Sequence, residues 1–306
     1  MGNEVFLNEN DYKNILLNIC QTFKCDKSQI EVLDNLGGCT NLVLSFIYSG
    51  KKYVYRHPSA FSNSLINRGR ESSIQLFADA CGIDTTLISM DINKGWRISE
   101  YIDSKPLDYE NKSNIMDAIS TIKKLHENKS KVKWYFNVYD LVKDLKEKFD
   151  FKESLRQYNI FNIGKQIEQL YKLTNKDNIA YCNCHGDCRD TNFLFTQNSN
   201  PILIDWEFAG YADPGFDIGS FVAGGVFDDK MVDMILKTYL NHEPNVIELR
   251  HYYAFIAITS FAYFLLTEYY IYCGQGKEEL TSLHQSRLGY IKQYLSKALL
   301  LYEKMF

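Results

Sequence analysis

A chain of 306 residues, 45% apolar and 24% charged, has the length and composition of a globular protein with one large domain or two modest ones. Its formal net charge of −4 excludes a basic field able to hold nucleic acid by phosphate neutralisation. Eight cysteines without a secretory signal point to reduced thiols and a cytoplasmic location.

The opening stretch MGNEVFLNENDYK is polar and acidic, so no signal peptide is expected. Phe6 stands where a myristoylation signal needs Ser or Thr. Helical spacing of Ile15, Leu16, Ile19, Cys20 and Phe23 predicts a helix over 8–24. Strands are expected at 30–36, 42–49 and 53–57, joined by the turns GGCTN (37–41) and GKK, and Pro58 ends the third. A helix over 64–81 and strands at 85–89 and 96–102 complete a β-rich first part. After DSKP (103–106) the pattern becomes helical, at 111–128, 138–150 and 163–174. Short strands return at 180–184, 193–195 and 202–206, followed by helices at 228–241, 246–273 and 279–304. The apolar run 254–267 is too short to span a bilayer and reads as a buried helix, so no membrane span is expected. The class is α+β, with boundaries at 1–102 and 103–306 and a cleft expected between the two parts.

The stretch CHGDCRDTNFLF (184–195) crowds cysteines and a histidine together. Structural zinc sites usually want two separated ligand pairs, and Cys182, Cys184 and Cys188 do not supply them. The cysteines read as small apolar residues around a buried loop. The other residues carry the chemistry. His185, Asp187 and Asn192 follow the spacing H-x-D-x₄-N, and Asp205 comes 18 positions after Asp187 in an apolar stretch. Phosphoryl transfer needs one carboxylate to orient and deprotonate a hydroxyl, and an amide and a second carboxylate to hold Mg²⁺ on the phosphates of ATP. A buried polar group without a partner costs roughly 2–7 kcal/mol, so Asp205 asks for a function.

With HGDCRDTNFLF and LIDWEFAGYADPGFDIGSF (203–221) on the page, the chain resembles the choline/ethanolamine kinases of the aminoglycoside-phosphotransferase-like kinase superfamily, and is most similar to their LicA-type bacterial branch. The resemblance implies a protein-kinase-like bilobal fold, with a small β-rich N-lobe carrying one main helix and a larger, mostly helical C-lobe. It implies Asp187 as catalytic base and Asn192 and Asp205 as Mg²⁺ ligands. His185 and Asp217 would support the loop. Gly38, Thr40 and Asn41 of LGGCTN would approach the ATP phosphates, Arg56 would grip them with Glu71 as ion-pair partner, and the backbone of Glu100 and Ile102 would meet adenine.

The expected acceptor is choline or a related amino alcohol. A quaternary ammonium is bound by aromatic faces and carboxylates. Asp187, Glu207, Phe208, Tyr211, Tyr263 and Glu268 are the candidates for that role. Glu207 is expected on the strand of Asp205, facing the same side. The chain departs from the family in having no Trp after Trp206 and in carrying VAGG at 222–225, where eukaryotic members have a Glu. Ethanolamine, aminoglycoside or thiamine kinase activity are the alternatives within the superfamily. A catalytically inactive nucleotide-binding protein is the alternative from another class.

Overall fold

The computed structural model describes all residues except 1–8, 37–40, 60–61, 63–64, 150–158, 198–199, 226, 275–276 and 305–306. Gly38 and Thr40, expected at the nucleotide phosphates, lie outside the described residues. The chain divides into two compact units, Met1–Ser104 and Lys105–Phe306.

The first unit is an antiparallel sheet of β1 (Ile30–Asn35), β2 (Asn41–Tyr48), β3 (Lys51–Pro58), β4 (Leu87–Met90) and β5 (Arg97–Glu100), in the order β1-β2-β3-β5-β4. The β2–β3 turn is the pair Ser49-Gly50, not the expected GKK. Both residues have positive φ, 50° and 76°, and Tyr48 pairs with Lys51 across them. Two left-handed residues make the tight hairpin turn that suits the twist of the strands. Helix α1 (Glu9–Phe23) packs Ile15 and Ile19 against Leu42, Leu44, Phe46, Tyr55 and Ile98. Alternation along β3 then turns Arg56 to the opposite face from Tyr55. Helix α2 (Arg68–Ala80) starts later than expected, because Asn67 accepts the Arg70 N–H and caps it.

The second unit is mostly helical: α3 (Lys112–His126), α4 (Val138–Lys148), α5 (Ile160–Thr174), α6 (Gly215–Gly224), α7 (Asp229–Leu240), α8 (Val246–Tyr272) and α9 (Lys277–Glu303). Helix α8 begins with a capping box, Asn245 to Glu248, and packs along α9, α6, α4 and α5. It is long and apolar enough to cross a membrane, yet 78% of its most apolar stretch is buried in the protein. Gly219 lets α6 approach α8 closely: a Cβ there would lie 2.6 Å from the Phe255 carbonyl oxygen.

Two small ladders carry the loop of interest. Strand β6 (Cys182–Cys184) pairs antiparallel with β9 (Gly210–Ala212), and β7 (Phe193–Leu194) pairs with β8 (Ile202–Leu203). The expected strand 202–206 is shorter than its apolar pattern suggested. Asp205 has φ +71°, which takes the chain out of the ladder after Leu203. Asp205 and Glu207 are therefore not strand neighbours.

Candidate active site

The loop 185–192 is hung from helix α6 by its backbone. Asp217, in the first turn of α6, accepts the N–H of His185 (2.8 Å) on one oxygen and that of Gly186 (2.6 Å) on the other. Ser220, one turn on, accepts the N–H of Cys188 (2.9 Å). Three N–H groups of a buried loop are met by two side chains of one helix, and Asp217 lies in its first turn, where the dipole favours a carboxylate. Asp217 is fully buried and no helix cap, since α6 starts earlier, after Pro214. Burial alone would raise its carboxyl. The hydrogen bond and charge of His126, with the His185 backbone N–H, hold it below the usual range. His126 reaches it from the end of α3 at 2.9 Å and binds the Tyr239 hydroxyl through its other nitrogen at 2.7 Å.

Gly186 is needed where it stands. Its φ is +83°, and a Cβ would lie 2.6 Å from both the Phe208 carbonyl oxygen and the Phe216 ring. Its carbonyl accepts the Tyr263 hydroxyl. His185 turns the chain by two bonds: Nε2–H donates to the Ile204 carbonyl (2.9 Å) and Nδ1 accepts the Asp187 N–H (3.1 Å). That pattern assigns one tautomer, and the ring packs edge-on to Trp206 at 4.7 Å between centroids.

Asp187 ends up half-buried. Asn192 Nδ2 donates to its carboxylate (2.9 Å) and to its backbone oxygen (2.8 Å). Burial raises the Asp187 carboxyl above its usual range and the Asp205 charge adds to this, against Arg189 and the Asn192 hydrogen bond. Since Asn192 spends its amide hydrogens on Asp187, its Oδ1 is the atom left to face a cation. The carboxylates of Asp205 and Glu207 come within 4.8 Å of each other. An amide oxygen and two carboxylates are the hard oxygen donors that Mg²⁺ takes, so the residues present fit that ion.

In the first unit Arg56 and Glu71 form a buried ion pair. Arg68 also binds Glu71 at 2.6 Å and Arg97 approaches it at 3.8 Å. Burial would raise the Glu71 carboxyl, and the charges of Arg56, Arg97 and Arg68 more than reverse it. Register explains the need for an anion here: Arg56 and Arg97 stand directly opposite on β3 and β5, a like-charge pairing that costs stability unless shared. Asn41 is buried, and its Oδ1 accepts the Ser62 hydroxyl at 2.9 Å. The N–H of Glu100 is committed to the Thr86 carbonyl at 2.7 Å.

Several of the expected substrate residues already have partners within the protein. Phe208 is buried. Tyr263 is 5% exposed, and its hydroxyl is occupied by the loop. Tyr211 already has the Lys131 ammonium 4.9 Å from its ring centre, with Tyr135 edge-on at 5.5 Å. Glu268 pairs with His284 at 3.1 Å. Two residues that sequence reasoning missed are His126 and Arg287. Arg287, on α9, is buried and donates to the Tyr263 carbonyl (3.0 Å) and the Thr267 hydroxyl. Burial and Arg189 bring its guanidinium down to about 10, against Tyr263 and Asp187. Neither residue stands near the loop in sequence, so no local motif marks them.

This geometry has known relatives. A family model described as choline/ethanolamine kinase matches residues 32–256, most of the chain. The chain belongs to the choline/ethanolamine kinase family. Members of this family are ATP-dependent phosphotransferases, and the fold is α+β and protein-kinase-like. The chain is 26% identical over 217 residues to the protein LicA of Haemophilus influenzae, a match covering 68% of this chain and 62% of that protein, less than two thirds of its length. The solved choline kinase LicA of Streptococcus pneumoniae superposes with a TM-score of 0.78 at 19% identity, over 94% of this chain and 100% of that one. The Plasmodium vivax ethanolamine kinase superposes with a TM-score of 0.74 at 17% identity, over 94% and 90% of the two chains. At such identities the structural likeness establishes the family fold, and the choice of acceptor has to come from the site.

Proposed function

We propose that this protein transfers the γ-phosphoryl group of ATP to the hydroxyl of choline, giving phosphocholine and ADP. The observation that carries the proposal is the Asp187–Asn192 pair, held in a loop whose backbone is fastened to α6, with the Asp205 and Glu207 carboxylates beside each other. Asp187 would accept the hydroxyl proton as the oxygen attacks phosphorus. Its raised carboxyl makes it a better proton acceptor than an ordinary aspartate once ionised. Asn192, Asp205 and Glu207 would hold Mg²⁺, which neutralises the phosphate oxygens when bound. Arg56, kept oriented by Glu71, would grip phosphate in two-pronged fashion. With the Glu100 N–H committed, the backbone donor to adenine falls to Ile102.

Choline is preferred over other acceptors because named LicA relatives include a choline kinase, and because the site supplies carboxylates. A quaternary ammonium asks for negative charge and ring faces without hydrogen-bond acceptors aimed at it. The ionised Asp187, which is not among the metal-holding residues, would provide the charge beside the acceptor hydroxyl. The rings of Tyr211 and Tyr263 already lie near the Lys131 and Arg287 cations, so a ligand cation would compete with these for their faces. The test is an ADP-release assay with MgATP, comparing choline, ethanolamine, thiamine and an aminoglycoside. The proposal expects the highest kcat/KM with choline. A higher value with ethanolamine would replace choline by a primary amine acceptor, and turnover of none of them with intact ATP binding would reject the small amino-alcohol class.

A further inference from the structure

The cysteines of the loop region are not incidental once the fold places their neighbours. Cys182 and Cys184 project from the same face of β6, with their sulfurs 3.6 Å apart. His126 lies against them: its ring nitrogen and the two sulfurs fall within 4.8 Å of one another. His126 is also the residue that binds Asp217, from which the 185–188 backbone hangs. The strand that carries both thiols runs directly into His185 and Asp187.

We propose that Cys182 and Cys184 form a reversible thiol–disulfide switch, oxidised by a peroxide, on the strand that leads into the catalytic loop. Cys182 is the attacking group, being half-buried while Cys184 is fully enclosed. The hydrogen bond from Cys184 and the His126 charge lower the Cys182 thiol against the effect of burial, and burial raises that of Cys184. A thiolate beside a histidine cation, with a second thiol in contact, is the arrangement in which oxidation stays reversible.

The chemistry balances with the peroxide as the only added reactant. Cys182 Sγ, its proton resident on His126, attacks one peroxide oxygen. The O–O bond breaks, and the leaving hydroxide takes the His126 proton to become water, leaving a sulfenic acid on Cys182. Cys184 Sγ then attacks that sulfur. The S–O bond breaks, and the hydroxide leaves as water with the Cys184 proton. The two thiols lose two electrons and two protons, and the peroxide is reduced to two waters.

The mechanical consequence follows from strand geometry. Residues two apart on an extended strand are separated by about 6.4–6.8 Å between Cα atoms. That is the upper end of the span a disulfide bridges, roughly 4.4–6.8 Å. Closing the bond from contact distance shortens the strand and works against the pairing of Cys182 with Ala212 and Cys184 with Gly210. It also removes the thiolate that faces His126. Both effects reach the loop.

The experiment treats the reduced full chain with hydrogen peroxide, blocks remaining thiols with N-ethylmaleimide and maps the peptides by mass spectrometry. Amide hydrogen exchange at His185, Gly186 and Cys188, and turnover with MgATP and choline, are followed alongside. The expected result is a 182–184 peptide lacking two hydrogens, faster exchange at those three amides, and at least a tenfold loss of turnover restored by dithiothreitol. Cys184→Ser should stop at a Cys182 sulfenic acid that dimedone captures, and Cys182→Ser should give no such adduct. Each variant is compared with its own untreated sample, and the exchange readout stands whatever the acceptor proves to be. A disulfide mapped to Cys20 and Cys25 with both strand thiols alkylated would overturn the proposal. So would a 182–184 disulfide with unchanged amide exchange. Stoichiometric zinc in the isolated protein, with both thiols shielded from peroxide, would replace it by a His126–Cys182–Cys184 metal site.

Discussion

Asp187 sits among groups that pull its carboxyl in opposite directions, and burial with Asp205 prevails. A carboxyl whose folded pKa is raised is less stable as the anion in the folded protein than in the unfolded chain. Asp187→Asn should therefore raise Tm at neutral pH while lowering turnover by about 10²–10⁴-fold, the usual worth of a general base. Thermal unfolding and ADP release on the same preparation check both halves, and a lower Tm would mean that the carboxylate holds the loop together. The same direction fixes the acid side of the pH profile. The base acts when ionised, so kcat/KM should rise with pH through a midpoint above about 3.9, the reference for a free aspartate. Gly186 admits no side chain, since the atoms a Cβ would meet include the Phe208 backbone oxygen and the Phe216 ring. Gly186→Ala should cost several kcal/mol on the order seen for overpacked cores with added backbone strain, about 2–4, measured by urea unfolding.

At the scale of elements, α6 acts as a rack for the loop. Ser220→Ala leaves the Cys188 N–H buried without its partner, and should cost about 1–3 kcal/mol of stability. Retention of wild-type stability in urea unfolding would show that another acceptor takes over. The sequence made this region readable because its chemistry is local: Asp187, Asn192 and Asp205 sit within one short stretch, and alternation or helical spacing marks the elements around it. What stayed hidden has physical reasons. Left-handed backbone at Asp205 cannot be seen in an apolar run, so β8 was expected too long. Helix α6, which begins at Gly215, is not marked in the sequence as a separate element. His126 meets Asp217 across 91 residues of chain, and Arg287 meets the Tyr263 carbonyl from another helix. Aromatic composition is uninformative for a similar reason. With 22 Tyr and 19 Phe, rings are plentiful, and packing, not spacing, decides which faces remain open.

Across the second unit, one buried network joins distant segments. Asp177 accepts Arg250 Nε (2.8 Å), His251 Nδ1 (3.2 Å) and the Tyr302 hydroxyl, and His251 Nε2 reaches Asp213 at 2.9 Å. Burial would lower the His251 imidazolium, but the hydrogen bonds and charges of Asp177 and Asp213 lift it to about 9. A histidine with a raised folded pKa contributes its full stabilisation below about 6.5, its unfolded value, and loses it as pH rises through about 9. Tm should therefore fall between pH 7 and 10, and His251→Gln should flatten that dependence. A wild-type Tm that stays level over this range would place the proton elsewhere in the network.

Helix α8 has a consequence for how the protein is made. Helices α4, α5 and α6 precede α8, but α9, which packs along it most extensively, follows it in the chain, so a growing polypeptide presents that side of α8 before its cover exists. Until α9 emerges, that surface is open to chaperones, to membranes and to neighbouring chains, a period in which exposed apolar segments associate wrongly. The yield of active protein from a cell is then set partly by how quickly translation delivers α9, and slowing synthesis between the two helices would divert chains into aggregates without altering a residue of the finished fold.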